Sequence, residues 1–201
     1  MEFEAIPTIS VIKKEEKEAT LKAFIVDHFA RRDAASDGQA ADRVLLLIAR
    51  SHESPVVRAL AGVVADSSLP NVTLKALVLA PGSHPADTWP ANLIDVTDLR
   101  ITCDLRLLDA HEQLWLDAET AWIGDCMRRE PSKRDAYECY AHESQKTAKT
   151  VETGFHHLWE KGHAIVIEAA VIDPADTPVV APHLAQLPQT EPVAPTASTR
   201  H

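Results

Sequence analysis

The stretch His111 to Pro131, "HEQLWLDAETAWIGDCMRREP", gathers the residue types that phosphoryl transfer uses. That chemistry needs a nucleophile or water activator, a cationic clamp for the equatorial oxygens and a proton donor for the leaving group. His111 could be the first. Arg128, Arg129, Lys133 and Arg134 could supply the clamp. Glu138, on a following strand, could orient the imidazole by accepting a hydrogen bond from its far nitrogen. The competing reading is plainer. A lone histidine near a strand start is most often structural, and an Arg/Lys cluster is usually a solvated turn.

These residues need a scaffold. "VIKKEEKEATLKAFIVDHFARR" (Val11–Arg32) reads as a helix, with Leu21, Phe24, Ile25, His28 and Phe29 on one apolar face. "DAASDGQAAD" (Asp33–Asp42) reads as a loop. "RVLLLIAR" (Arg43–Arg50) is the near-continuous apolar run of a strand buried on both faces. "SPVVRALAGVVADSS" (Ser54–Ser68) opens with a helix-start signal, and "NVTLKALVLA" (Asn71–Ala80) is a second buried strand. Strand, helix and strand at this spacing predict a parallel pair. His52 follows the first of those strands, where the carboxyl ends of parallel strands line ligand crevices.

Pro81–Asp95 is Pro-rich and irregular, with at most a short helix. "DLRITCDLRLLD" (Asp98–Asp109) alternates as a strand does. "HEQLWL" and "TAWIGD" predict a hairpin about an "AE" turn, and "AYECYAH" (Ala136–His142) another strand. Ser144–Gly162 predicts a helix stopped at Gly162, and "HAIVIEAAVI" a last strand. The composition then shifts. From Asp173 to the end there are six prolines and no aromatics, which predicts a domain over residues 1–172 and a disordered tail over 173–201.

The chain has 201 residues, enough for one domain with a sizeable core. Its net charge of −10 argues against nucleic acid as a main partner, because such affinity rests on uncompensated Lys and Arg. No apolar run is long enough to span a membrane, and the acidic start lacks the order of a signal peptide. Cys103, Cys126 and Cys139 form neither a CxxC nor a zinc spacing. They are expected as reduced thiols in a cytoplasmic protein, with no metal and no cofactor.

The His111 segment resembles the signature of the phospholipase D superfamily, whose half-sites read His-x-Lys, an Asp after a short strand, then Gly-Ser and an Asn. His111 matches the histidine, and Gln113 stands where the lysine belongs. Asp117 matches the aspartate if the first strand is one residue short. Gly124 matches the glycine, Asp125 replaces the serine and Met127 the asparagine. Glu138 stands where a glutamate of the family supports the histidine. The upstream strand–helix–strand and the terminal "FHHLWEKG" resemble the family as well, over roughly Val11 to Gly162.

The resemblance implies an α/β fold, a phospholipase D-like mixed β-sheet flanked by helices on both faces, with one repeat per chain. Because a complete site combines two half-sites, it also implies a homodimer with two His111 residues facing each other. Its mechanism makes His111 the nucleophile, with Glu138 and Asp117 in catalytic support. Gln113, Gly124, Asp125, Arg128, Arg129 and His52 would be the phosphate-binding positions.

Lys→Gln, Ser→Asp and Asn→Met all weaken an anion clamp, and loss of one oxyanion donor alone typically costs about 10²–10³ in rate. The expectation is a degenerate, dimeric protein that binds a phosphate-bearing ligand or a protein partner, with hydrolysis lost or weak. The alternatives are an active phosphodiesterase or nuclease with an arginine clamp, and an interaction scaffold tethered by the tail.

Overall fold

In the computed structural model, residues 7–35, 42–66, 71–79, 88–102, 111–125 and 135–166 are described, all within a compact unit spanning Met1–Ala169. The predicted disordered tail, and with it the boundary at 172, lies outside the described residues, as do Met127, Arg128, Arg129, Lys133, Arg134, Cys103 and Cys126.

Eight strands form one mixed sheet. In chain order the elements are β1 (Thr8–Lys13), α1 (Lys17–Ala35), β2 (Arg43–Ala49), α2 (Pro55–Ala65), β3 (Val72–Val78), β4 (Thr97–Ile101), β5 (Gln113–Trp115), β6 (Ala121–Ile123), β7 (Asp135–Ala141), α3 (Gln145–Trp159) and β8 (His163–Ile165). Across the sheet the order is β1-β7-β6-β5-β2-β3-β4-β8. β2, β3 and β4 run parallel, and every other pairing is antiparallel.

The apolar run of β2 is explained by cover on both faces. Leu45, Leu47 and Ala49 pack in the main core with Leu21, Phe24 and Ile25 of α1 and Val56, Val57 and Leu60 of α2. Leu46 and Ile48 turn the other way and meet Phe155 and Trp159 of α3. The period-two alternation of a strand makes this division. The expected α/β mixed sheet with helices on both faces is therefore the observed architecture.

Several boundaries differ from expectation. Val11–Lys13 is strand rather than helix: Thr8–Lys13 pairs antiparallel with β7 along the sheet edge. Its backbone completes the ladder with β7, and the helix begins only at Lys17 after a short 3₁₀ turn. At its other end α1 runs on through Asp33–Ala35, which were expected in the loop. The strand expected over Asp98–Asp109 is described only as Thr97–Ile101, and the last strand only as His163–Ile165. α3 ends at Trp159, before the expected stop at Gly162, whose need for glycine is steric: a Cβ there would stand 2.8 Å from Leu77 Cδ1.

Candidate functional site

The β5–β6 hairpin carries the His111 segment, and its ladder sets what can meet there. Gln113 pairs with Ile123, and the Gly124 N–H donates to the Glu112 carbonyl at 2.8 Å. On the far side Ile123 pairs with Cys139, which places Gly124 beside Glu138. Glu112, Gly124 and Glu138 thus form one row across three strands. Their shared face is the α1 face, where Leu114, Trp122 and Tyr140 join the main core.

Onto this row α1 lowers its first residue. The Lys17 ammonium lies 3.1 Å from Glu138 Oε1 and 3.6 Å from Glu112 Oε2, and 5.1 Å from the centre of the Trp122 ring. All three charged side chains are buried: Lys17 is 6% exposed, Glu112 7% and Glu138 0%. Gly124 makes the approach possible, because a Cβ there would stand 2.6 Å from the Trp122 ring and 3.3 Å from Lys17 Nζ. Burial raises the Glu138 carboxyl above the ordinary carboxylate range, against the pull of Lys17 and the hydrogen bond from the Asp125 N–H. Asp125 adopts a left-handed backbone (φ 48°), a conformation that Asp tolerates better than most residues. Glu112 also accepts the Arg50 N–H at 3.2 Å, tying β5 to the end of β2.

This arrangement changes the expected roles. Glu138 does not hydrogen-bond His111: its carboxylate pairs with Lys17, and His111 Nδ1 is buried with no hydrogen-bond partner among the described residues. The reason is the pleat. The alternation that turns Glu112 to the α1 face directs Gln113 to the opposite one, and continued past the strand it would carry His111 there too. Gln113 Oε1 indeed lies on the α3 side, 3.9 Å from where a Cβ on Gly154 would sit, also buried without a partner.

Asp117 is not brought to His111 either. It occupies the turn at the other end of the hairpin, about 20 Å along the strand at about 3.3 Å per residue. There its carboxylate accepts the Glu119 N–H at 2.9 Å, pairs with Arg32 at 2.9 Å and lies 3.6 Å from His28 Nε2. Asp117 therefore pins the hairpin turn to α1. His52 sits in the loop after β2 and is hydrogen-bonded with Thr88 Oγ1 at 3.1 Å. Arg128 and Arg129 lie outside the described residues.

Lys17 and Glu112 were missed from the sequence. Lys17 sits in a run of charged residues that reads as a solvated helix face. A buried Lys with two carboxylates from distant strands leaves no local signature.

No protein-family model matches the chain, and no curated protein matches it. Solved structures do. The chain is similar to Nuc from Salmonella typhimurium, a phospholipase D family member, at 14% identity and a TM-score of 0.54, over 80% of this chain and 99% of that one. It is similar also to NucT from Helicobacter pylori, at 8% identity and a TM-score of 0.50, over 80% of this chain and all of that one. The fold is thus a phospholipase D-like α/β fold. Among the described residues no helix is long and apolar enough to cross a membrane, and no group of His, Cys, Asp and Glu could hold a metal ion.

Proposed function

We propose that this chain is a degenerate phospholipase D-like protein that binds a phosphate-bearing ligand at His111 without cleaving it. In this reading it acts as a homodimer, with two His111 half-sites facing one ligand. The fold it shares with Nuc supports the class. The observation that carries the loss of hydrolysis is the position of Gln113. It follows His111 on the same strand face, where the superfamily signature has a lysine, and its neutral amide turns its oxygen against α3. Lys17 does not replace that lysine, because two carboxylates hold it on the opposite face. Asp125 adds a negative charge to the same turn.

The test is direct. Purified protein is assayed with a chromogenic phosphodiester and titrated with inorganic phosphate, and its mass in solution is measured by sedimentation. Saturable phosphate binding that is lost in His111→Ala, a dimer mass and no His111-dependent hydrolysis are expected. Hydrolysis that disappears in His111→Ala would overturn the reading.

A further inference from the structure

The proposed site needs a cation, and the end of β2, which pairs with β5, leads into one. β2 pairs antiparallel with β5, with Ile48 opposite Gln113. The ladder ends there; extended two residues past the strand ends, the same register would set Arg50 opposite His111. Just past the last ladder pair the Arg50 N–H donates to Glu112 Oε1 at 3.2 Å, so the Glu112 side chain bridges the two segments there. Leu46 and Ile48 point to the α3 side, and the same alternation continued past Ala49 would direct Arg50 to the face of Gln113. Directly opposed residues in an antiparallel pair have Cβ atoms about 5 Å apart, well within reach of a guanidinium.

Arg50 differs from several other cations of the domain. Lys17 is buried between two carboxylates. Arg50 is exposed, and its guanidinium engages no carboxylate among the described residues. Arg32, Arg43 and Arg58, by contrast, are paired with Asp117, Asp33 and Glu18. A guanidinium offers a planar fork of donors that matches two phosphate oxygens at once.

We infer that Arg50 is the phosphate-binding cation of the His111 half-site, taking from the neighbouring strand the part that Gln113 no longer plays. This rests on the reading of His111 as an anion-binding site. It does not require Arg50 to hold the backbone, since the bond to Glu112 comes from its main-chain N–H. Side-chain substitution should therefore leave the fold intact.

Inorganic phosphate is the probe, titrated into ¹⁵N-labelled protein and followed at the histidine ring signals. Wild type, Arg50→Met, Arg50→Lys, His111→Ala and the distant control Arg58→Met are compared, each with a thermal melt. Arg50→Met should weaken phosphate binding by about ten- to a hundred-fold, the loss expected for a charge-assisted hydrogen bond. Arg50→Lys should retain part of the affinity, and Arg58→Met all of it. If His111→Ala weakens binding while Arg50→Met binds as wild type does, Arg50 is not the clamp and the reading of His111 survives. Were wild type to bind no phosphate, both would fall. If Arg50→Met melts early, the comparison of Arg50→Lys with wild type decides: undiminished affinity together with equal affinity for sulfate and chloride would overturn a forked phosphate contact.

Discussion

Replacing Lys17 by Met keeps most of the side-chain volume and removes the one cation that two buried carboxylates share. Each ion pair, at 3.1 and 3.6 Å, is worth about 5 kcal/mol of attraction at an effective dielectric of about 20. Desolvation and repulsion between the carboxylates offset much of that sum. Breaking a buried pair by removing one partner typically costs about 3–5 kcal/mol, because a charge is left buried and alone. For a domain of this size that loss lowers Tm by roughly 6–20 °C.

The pH dependence gives the sharper test. Glu138 has a folded pKa raised by burial, so at pH values between its unfolded and folded pKa the folded state holds a proton that the unfolded state releases. For such a group stability falls as pH rises from the unfolded value through the folded one. Removing Lys17 takes away the main opposing influence and raises that folded value further. The Lys17→Met penalty should therefore grow as the pH rises and shrink as it falls toward the ordinary carboxylate value of 4.5. Urea titrations followed by tryptophan fluorescence at several pH values measure it. A loss below about 1 kcal/mol at neutral pH, or a penalty that does not change with pH, would refute the argument.

Other substitutions probe neighbouring parts. Gly124→Ala should destabilise by about 1–3 kcal/mol in denaturant melts, because its Cβ meets the buried Trp122 ring. Asp117→Asn keeps an acceptor for the Glu119 N–H but loses the Arg32 ion pair; it should cost up to about 1 kcal/mol and leave phosphate binding at His111 unchanged in the same titration. His28 is held below its ordinary value of 6.5, mainly by burial, with Asp117 opposing. A depressed base releases its proton on folding, so stability should fall as pH drops through the unfolded value, and His28→Leu should flatten that part of the stability profile.

Much of the scaffold was legible because its signals are local. Leu45–Ala49 must be covered on both faces, and it is; Leu21, Phe24, Ile25, His28 and Phe29 form one buried helical face as their spacing implies. Thr8–Lys13 was obscured because its few residues run straight into a strongly helix-forming charged segment, and only pairing with β7 decides for strand. The candidate site was legible as a motif but not as an arrangement. Motif spacing places His111, Asp117, Gly124 and Glu138 in order along the chain, yet says nothing of which face each side chain takes. One residue of alternation separates the Glu112 face from that of His111. Arg50, likewise, has no motif of its own. Its interest comes from the register of β2 against β5.

In the proposed reading, His111 belongs to a half-site that binds an anion and no longer breaks a phosphodiester bond. The most direct measurement compares the rate of hydrolysis of a chromogenic phosphodiester by wild-type protein and by His111→Ala at equal concentration. The two rates should be indistinguishable from each other and from buffer. A wild-type rate that the substitution abolishes, with phosphate trapped on His111 after acid quench, would contradict it.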